Sequence, residues 1–243
     1  MEIFWRLIFG HMLGDFTFQT NFINRWKRKS LVGLLVHCGM HPLFYVILTW
    51  PYLDQFWVEN VFFRLTGWWC IAIIFFSHLL EDWWRVYTIY KYGMPDNTVF
   101  LAWDQIIHLT VIFAIAPLAA GSAGTAGFFP ETWPVLGVLF VAVTHTCTVV
   151  IYFLEKDLQG GTYPGDDEKY LAMAERLILA LCFLFPGPAG AAALASAWLC
   201  VMFFLRRRRL FDLTTFTFYM GAIISIACGL AARALYYAPG AIP

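Results

Sequence analysis

Long apolar stretches separated by short polar connections recur along the whole chain. They run over 3–22, 31–50, 61–80, 103–120, 133–153, 170–185, 188–205 and 216–235. A helix needs roughly 20 mostly apolar residues to cross a bilayer. The pattern therefore predicts an all-α, polytopic transmembrane bundle of about eight spans. The sixth and seventh stretches are short and meet at Pro186-Gly187-Pro188, which no helix passes through undisturbed. Folded as one re-entrant hairpin, they would bring the count to seven. The connections are too short to fold independently, which predicts a single integral membrane domain over 1–243. His11 and Asp15 interrupt the first stretch and no A-x-A site follows it. It reads as a span, not as a cleavable signal.

Composition agrees with a membrane setting. Of the 243 residues, 60% are hydrophobic and 13% charged, whereas a soluble domain carries about 25% charged residues. The expected partner is the lipid bilayer. Nucleic acid is excluded as a partner, because 16 Lys and Arg balance 16 Asp and Glu and leave no excess to neutralise phosphates. The six cysteines stand singly within apolar stretches and read as packing residues.

The basic residues set an expected orientation. Arg25, Lys27, Arg28 and Lys29 fill the first connection, Arg85 and Lys91 the third, Lys156 and Lys169 the fifth, and Arg206, Arg207, Arg208 and Arg209 the seventh. The even-numbered connections hold Asp54, Glu59 and Glu131 instead. The positive-inside rule then puts the odd connections in the cytoplasm and both termini outside it. The arginine tract reads first as a topology anchor and second as a site for anionic lipid.

Candidate chemistry lies inside the apolar stretches. His11/Asp15, His37/His41, His78/Asp82 and Asp104/His108 are each four residues apart, a spacing that puts both side chains on one helix face. An ionisable group in a span costs several kcal/mol unless it is paired, metal-bound or hydrated. Any one pair alone reads as a clasp between helices. Four in succession, all able to meet in the cytoplasmic half of a bundle, point to a metal site. The expected ligands are His11, Asp15, His37, His78, Asp82, Asp104 and His108, with Gln19, His41 and Gln105 orienting them. Imidazole and carboxylate donors suit one or two ions of Zn, Fe or Mn. Segment 1–120 would carry this site and 121–243 the supporting helices. His145 has no carboxylate one turn away and reads as a bundle histidine. Glu175-Arg176 reads as a separate ion pair or headgroup contact.

His11-x-x-Gly14-Asp15-Phe16-x-x-Gln19-Thr20, the basic turn, His37, His78-x-x-x-Asp82 and Asp104-Gln105-x-x-His108 resemble the bacterial multi-pass membrane family called domain of unknown function 3307. Glu175-Arg176-Leu and Phe218-Tyr219-Met-Gly221 resemble its second half. The resemblance implies a bacterial inner-membrane protein and brings no activity with it. The His/Asp pairs are also similar, more loosely, to those of membrane-bound metal-dependent hydrolases.

The function expected from these residues is metal-dependent hydrolysis of a lipid-like or membrane-delivered substrate. A metal there would make hydroxide available near neutral pH, with Glu81 or Asp82 taking the proton. Two alternatives use the same residues. One is a di-iron membrane oxidoreductase. The other is a non-catalytic structural subunit of a larger complex with membrane-protein partners.

Overall fold

A computed structural model of the chain describes residues 1–60, 62–118, 131–160, 162–207 and 214–237. They form two compact units, Met1–Val138 and Leu139–Pro243. The expected boundary at 120/121 lies outside the described residues.

In the first unit, α1 (Glu2–Met12) runs into a π turn (Leu13–Thr17) and stops. The Thr20 side chain then accepts from the Ile23 N–H and starts α2 (Asn21–Lys27), satisfying a donor that the helix start would otherwise leave open. The first predicted span is thus broken before its end. Ser30 caps α3 (Leu31–Thr49) in the same way, within a residue of the expected bounds. An antiparallel hairpin follows, β1 (Phe56–Glu59) and β2 (Arg64–Thr66). Its turn is held by Asn60 Oδ1, which accepts from the Phe62 and Phe63 N–H groups. The expected third span at 61–80 accordingly moves to α4 (Gly67–Tyr92), ended by Gly93 at φ +64°. Asn97 caps α5 (Thr98–Ile115), five residues ahead of the expected start.

The second unit holds the end of α6 (Thr132–Val141), a π turn (Ala142–Thr146) and α7 (Cys147–Gln159). These are followed by α8 (Asp166–Cys182), α9 (Pro188–Arg207) and α10 (Thr215–Tyr236). Its small core is Leu179, Ala195 and Ala222. Arg176 forms no salt bridge with an acid among the described residues. It donates to the Val143 and Thr144 carbonyls of the π turn and to Thr148 Oγ1. Glu175 instead faces Arg206 at 3.6 Å. Arg206 also donates to the Thr214 carbonyl, and among the described residues nothing supports lipid binding at the arginine tract. Arg208 and Arg209 lie outside the described residues.

The expectation of about eight spans is not met on length and composition. Five helical stretches qualify among the described residues: Leu31–Tyr52, Thr98–Ile115, Thr132–Gln159, Pro188–Arg207 and Thr215–Tyr236. α1 has 11 residues and α8 has 17. α4 has 26 but carries His78, Glu81, Asp82, Arg85 and Lys91, so its candidate chemistry is what lowers its hydropathy. The helices are nonetheless turned outward as in a membrane protein. Leu43, Ile47, Phe76, Leu80, Ile106 and Phe113 are exposed, while the histidines and aspartates of the same helices are buried. In water this arrangement would be inside out. In lipid it hides the polar groups and presents apolar side chains to the acyl chains. The chain is a helical membrane protein.

Candidate metal centre

Four elements of the first unit bring the polar pairs together. α1 and its π turn supply His11 and Asp15, α3 supplies His37 and His41, α4 supplies His78 and Asp82, and α5 supplies Asp104 and His108. All eight side chains are buried, at 0–6% exposure. Two glycines permit the approach of α1 to α3. A Cβ on Gly10 would stand 2.9 Å from the Tyr45 ring, and one on Gly14 would stand 2.5 Å from the His41 ring. π turns occur often at functional sites, and this one contains Asp15.

Asp15 is the hub. Its oxygens lie 3.5 Å from His11 Nε2, 3.3 Å from His37 Nε2, 3.2 Å from His41 Nε2 and 3.6 Å from His78 Nε2. Gln105 ties the hub together: its Nε2 donates to Asp15 at 2.8 Å and to Asp104 at 3.1 Å, and its Oε1 is 3.1 Å from His11 Nε2. His37 Nε2 also lies 3.0 Å from Asp82 Oδ2, and His108 Nε2 lies 3.5 Å from Asp104 Oδ1. The His78 ring stacks on His108 at 4.0 Å and lies 3.9 Å from His41.

Apart from the Gln105 bonds, most of these imidazole nitrogens are close to a carboxylate without hydrogen-bond geometry. Both ring nitrogens of His37 and His41, Nε2 of His78 and His108, and Asp104 Oδ1 are buried with no hydrogen-bond partner. Buried polar atoms in native structures nearly always have one. A metal satisfies such a set. Ligands held tetrahedrally about 2.0–2.1 Å from zinc stand about 3.3 Å from one another, close to the spacings around Asp15. Three overlapping groups have ligand atoms within 4.8 Å of one another: His11/Asp15/His41/His78, His37/His78/Asp82 and Asp15/Asp104/His108. These buried His/Asp clusters could bind a metal.

Cations reach two of the three carboxylates. Lys27 Nζ lies 3.2 and 3.0 Å from the two Asp82 oxygens, and Arg85 donates to Asp104 at 2.8 Å. Arg85 also meets Asp96 at 3.0 Å, where Arg28 joins at 2.8 Å. Burial pushes the Asp96 carboxyl up, but the two guanidiniums outweigh it and hold the group below its usual value. Asp15 has no Lys or Arg partner among the described residues. An anion in that position needs an imidazolium or a metal.

The geometry brings together all seven residues expected as ligands. It also places His41, expected to orient others, with its nitrogen among the ligand atoms. Gln105 touches His11, Asp15 and Asp104. Gln19 Oε1 is buried without a partner and makes no described contact with the cluster. Sequence reasoning misses Lys27 and Arg85 as charge partners, because their place in basic connections marks only orientation. The surplus of buried carboxylates over buried cations in the spans was the available signal. It missed Tyr45 as well, whose hydroxyl is buried without a partner. In the second unit, His145 Nδ1 is 3.1 Å from Thr144 Oγ1, as suits a bundle histidine.

A family model described as a protein of unknown function (DUF3307) matches residues 3–136, more than half of the chain. The matched stretch nearly coincides with the first unit and contains every candidate ligand. No curated protein and no solved structure matches the chain, so the looser similarity to hydrolases finds no support among them.

Proposed function

We propose that this chain, which belongs to the DUF3307 family, holds a divalent metal in its first unit and uses it to hydrolyse a membrane-delivered substrate. The observation that carries the reading is Asp15. It is a buried carboxylate without a cationic partner among the described residues, facing the imidazoles of His11, His37, His41 and His78. His11, Asp15, His41 and His78 are the ligands in this reading, and Gln105 orients Asp15. Asp104 and His108 would flank the ion, as would His37 and Asp82. A divalent ion on one unpaired carboxylate leaves one positive charge, which favours an anion there and lowers the pKa of water. Both oxygens of Asp82 face Lys27, so Asp82 is a poor proton acceptor. Glu81, three residues beyond His78 on α4, is better suited to be the base, since its Oε1 is buried and unpartnered.

Metal per protein, measured by mass spectrometry on purified protein supplied with Zn, Mn or Fe, tests the centre. About one ion per chain is expected. Absence of stoichiometric metal would leave a structural polar clasp, and a coloured, redox-active preparation would favour the oxidoreductase. Turnover of lipid esters and phosphoesters, lost in Glu81→Gln, tests hydrolysis. Metal without any such turnover would keep the centre and remove the reaction.

The same reading includes the topology drawn from the basic residues, with odd connections in the cytoplasm and both termini outside. It is supported by ion pairs that sort by end. Lys27–Asp82 and Arg28–Asp96–Arg85 join the first and third connections to α4. Arg6 meets Glu131 at 2.6 Å and the Leu48 carbonyl at 2.7 Å, on segments expected outside. At about 1.5 Å per residue, α4 is long enough to span. A single cysteine at position 91 should react with an impermeant maleimide only once the cytoplasmic side is opened. Labelling in intact cells would reverse the map.

A further inference from the structure

Two of the three ligand groups share His78, so His37/His78/Asp82 could in principle hold a second ion beside the one on Asp15. That position already has a cation. The Lys27 ammonium lies 3.0 and 3.2 Å from the two oxygens of Asp82, and the lysine itself is buried at 8% exposure. Burying a lysine so deeply is rare unless it is paired. The pairing here is with a carboxylate that also lies 3.0 Å from His37 Nε2.

The backbone holds Lys27 in place. It is the last residue of α2, and the chain turns back at once into α3 through Lys29 and Ser30, whose N–H groups both donate to the Trp26 carbonyl. Gly33, on the first turn of α3, lies so close that a Cβ would stand 2.5 Å from the Trp26 carbonyl carbon and oxygen. The two helices are thus locked at the junction that carries Lys27, and the long side chain reaches inward from a fixed base.

We propose that Lys27 is a resident cation of the centre: its ammonium takes the place on Asp82 that a second metal ion would have, and so sets the metal count at one. The inference rests on the reading of Asp15 as the carboxylate of the metal. A second divalent ion on Asp82 would have to displace this ammonium, which faces both oxygens and already neutralises the carboxylate. The result is a mononuclear centre with a charged, hydrogen-bonded carboxylate next to it.

The test is the metal count and melting temperature of Lys27→Met, which keeps most of the apolar stem and removes the charge. With zinc or manganese in excess, Lys27→Met should bind two ions per chain where the wild type binds one. Lys27→Arg should keep one, and Lys27→Met with Asp82→Leu should return to one. Lys27→Met has an unpaired buried Asp82, so its melting temperature should rise with added metal by more than that of the wild type. A Lys27→Met protein that binds one ion, or that stays unfolded at saturating metal, overturns the role of Lys27 and leaves the wild-type centre standing. A wild type that binds none removes the centre itself, and one that binds two removes the limit on the count.

Discussion

Asp15→Asn should lose the metal while keeping the fold. Asparagine has the volume of aspartate and can still accept hydrogen bonds, so the packing around residue 15 is preserved. What disappears is the negative charge that faces His11, His37, His41 and His78. Changing the groups that hydrogen-bond to metal ligands costs about 10–100-fold in affinity, and loss of the charged ligand itself should cost more than about 100-fold. The metal-free proteins should behave in the opposite way. Without an ion, wild-type Asp15 is a buried carboxylate with no Lys or Arg partner among the described residues, and Asp15→Asn removes its charge. Stripped with a chelator, the variant should therefore melt at a higher temperature than the stripped wild type. With metal restored, the wild type should melt higher. Metal content and melting curves with and without chelator read both effects. If Asp15 were only a clasp, the chelator would shift neither protein, and that outcome would end the metal reading.

The sequence and the structure agree best where one physical signal acts alone. α3 and α10 are long, mostly apolar runs that begin at capping hydroxyls, Ser30 and Thr214, and both are legible to within a residue or two. The end of α1 is hidden because Phe16, Phe18 and Phe22 carry apolar character on past Asp15, while the backbone passes through a π turn and then breaks at Thr20. Apolar side chains do not report that change. The hairpin at Phe56–Thr66 was hidden in the same way, since Phe62 and Phe63 extend the apolar run across its turn. α4 continues past Leu80 because Arg85 and Thr88 are buried against one side, where the sequence alone offered only a basic connection. The four His/Asp and His/His pairs were visible because helical spacing fixes which residues share a face. Which faces meet was not visible. That depends on helix neighbours, and it decided that His41 joins the ligand atoms and that Lys27 and Arg85 neutralise Asp82 and Asp104.

Gly14 is where the backbone and the centre depend on each other most directly. A Cβ at this position would stand 2.5 Å from Cε1, 2.7 Å from Nδ1 and 2.8 Å from Nε2 of His41. Contacts that short require something to move, and the His41 ring has little room. It is fully buried, its centroid is 3.9 Å from that of His78 and 5.5 Å from that of His11, and Tyr45 follows one turn along α3. Gly14→Ala must therefore displace His41 from Asp15 or spread α1 from α3. Overpacking of this kind costs about 1–3 kcal/mol, so the melting temperature should fall by several degrees. Metal affinity should fall by at least about 10-fold, because one nitrogen of the ligand set is moved. Gly39→Ala serves as the control, since nothing lies within 4 Å of its Cβ position on α3. That change should leave the metal in place and stabilise the helix by up to about 1 kcal/mol. Metal titration of the two variants separates a specific effect at His41 from a general effect of alanine. Wild-type affinity in Gly14→Ala would show that His41 is not a ligand and would move the centre toward His37 and Asp82.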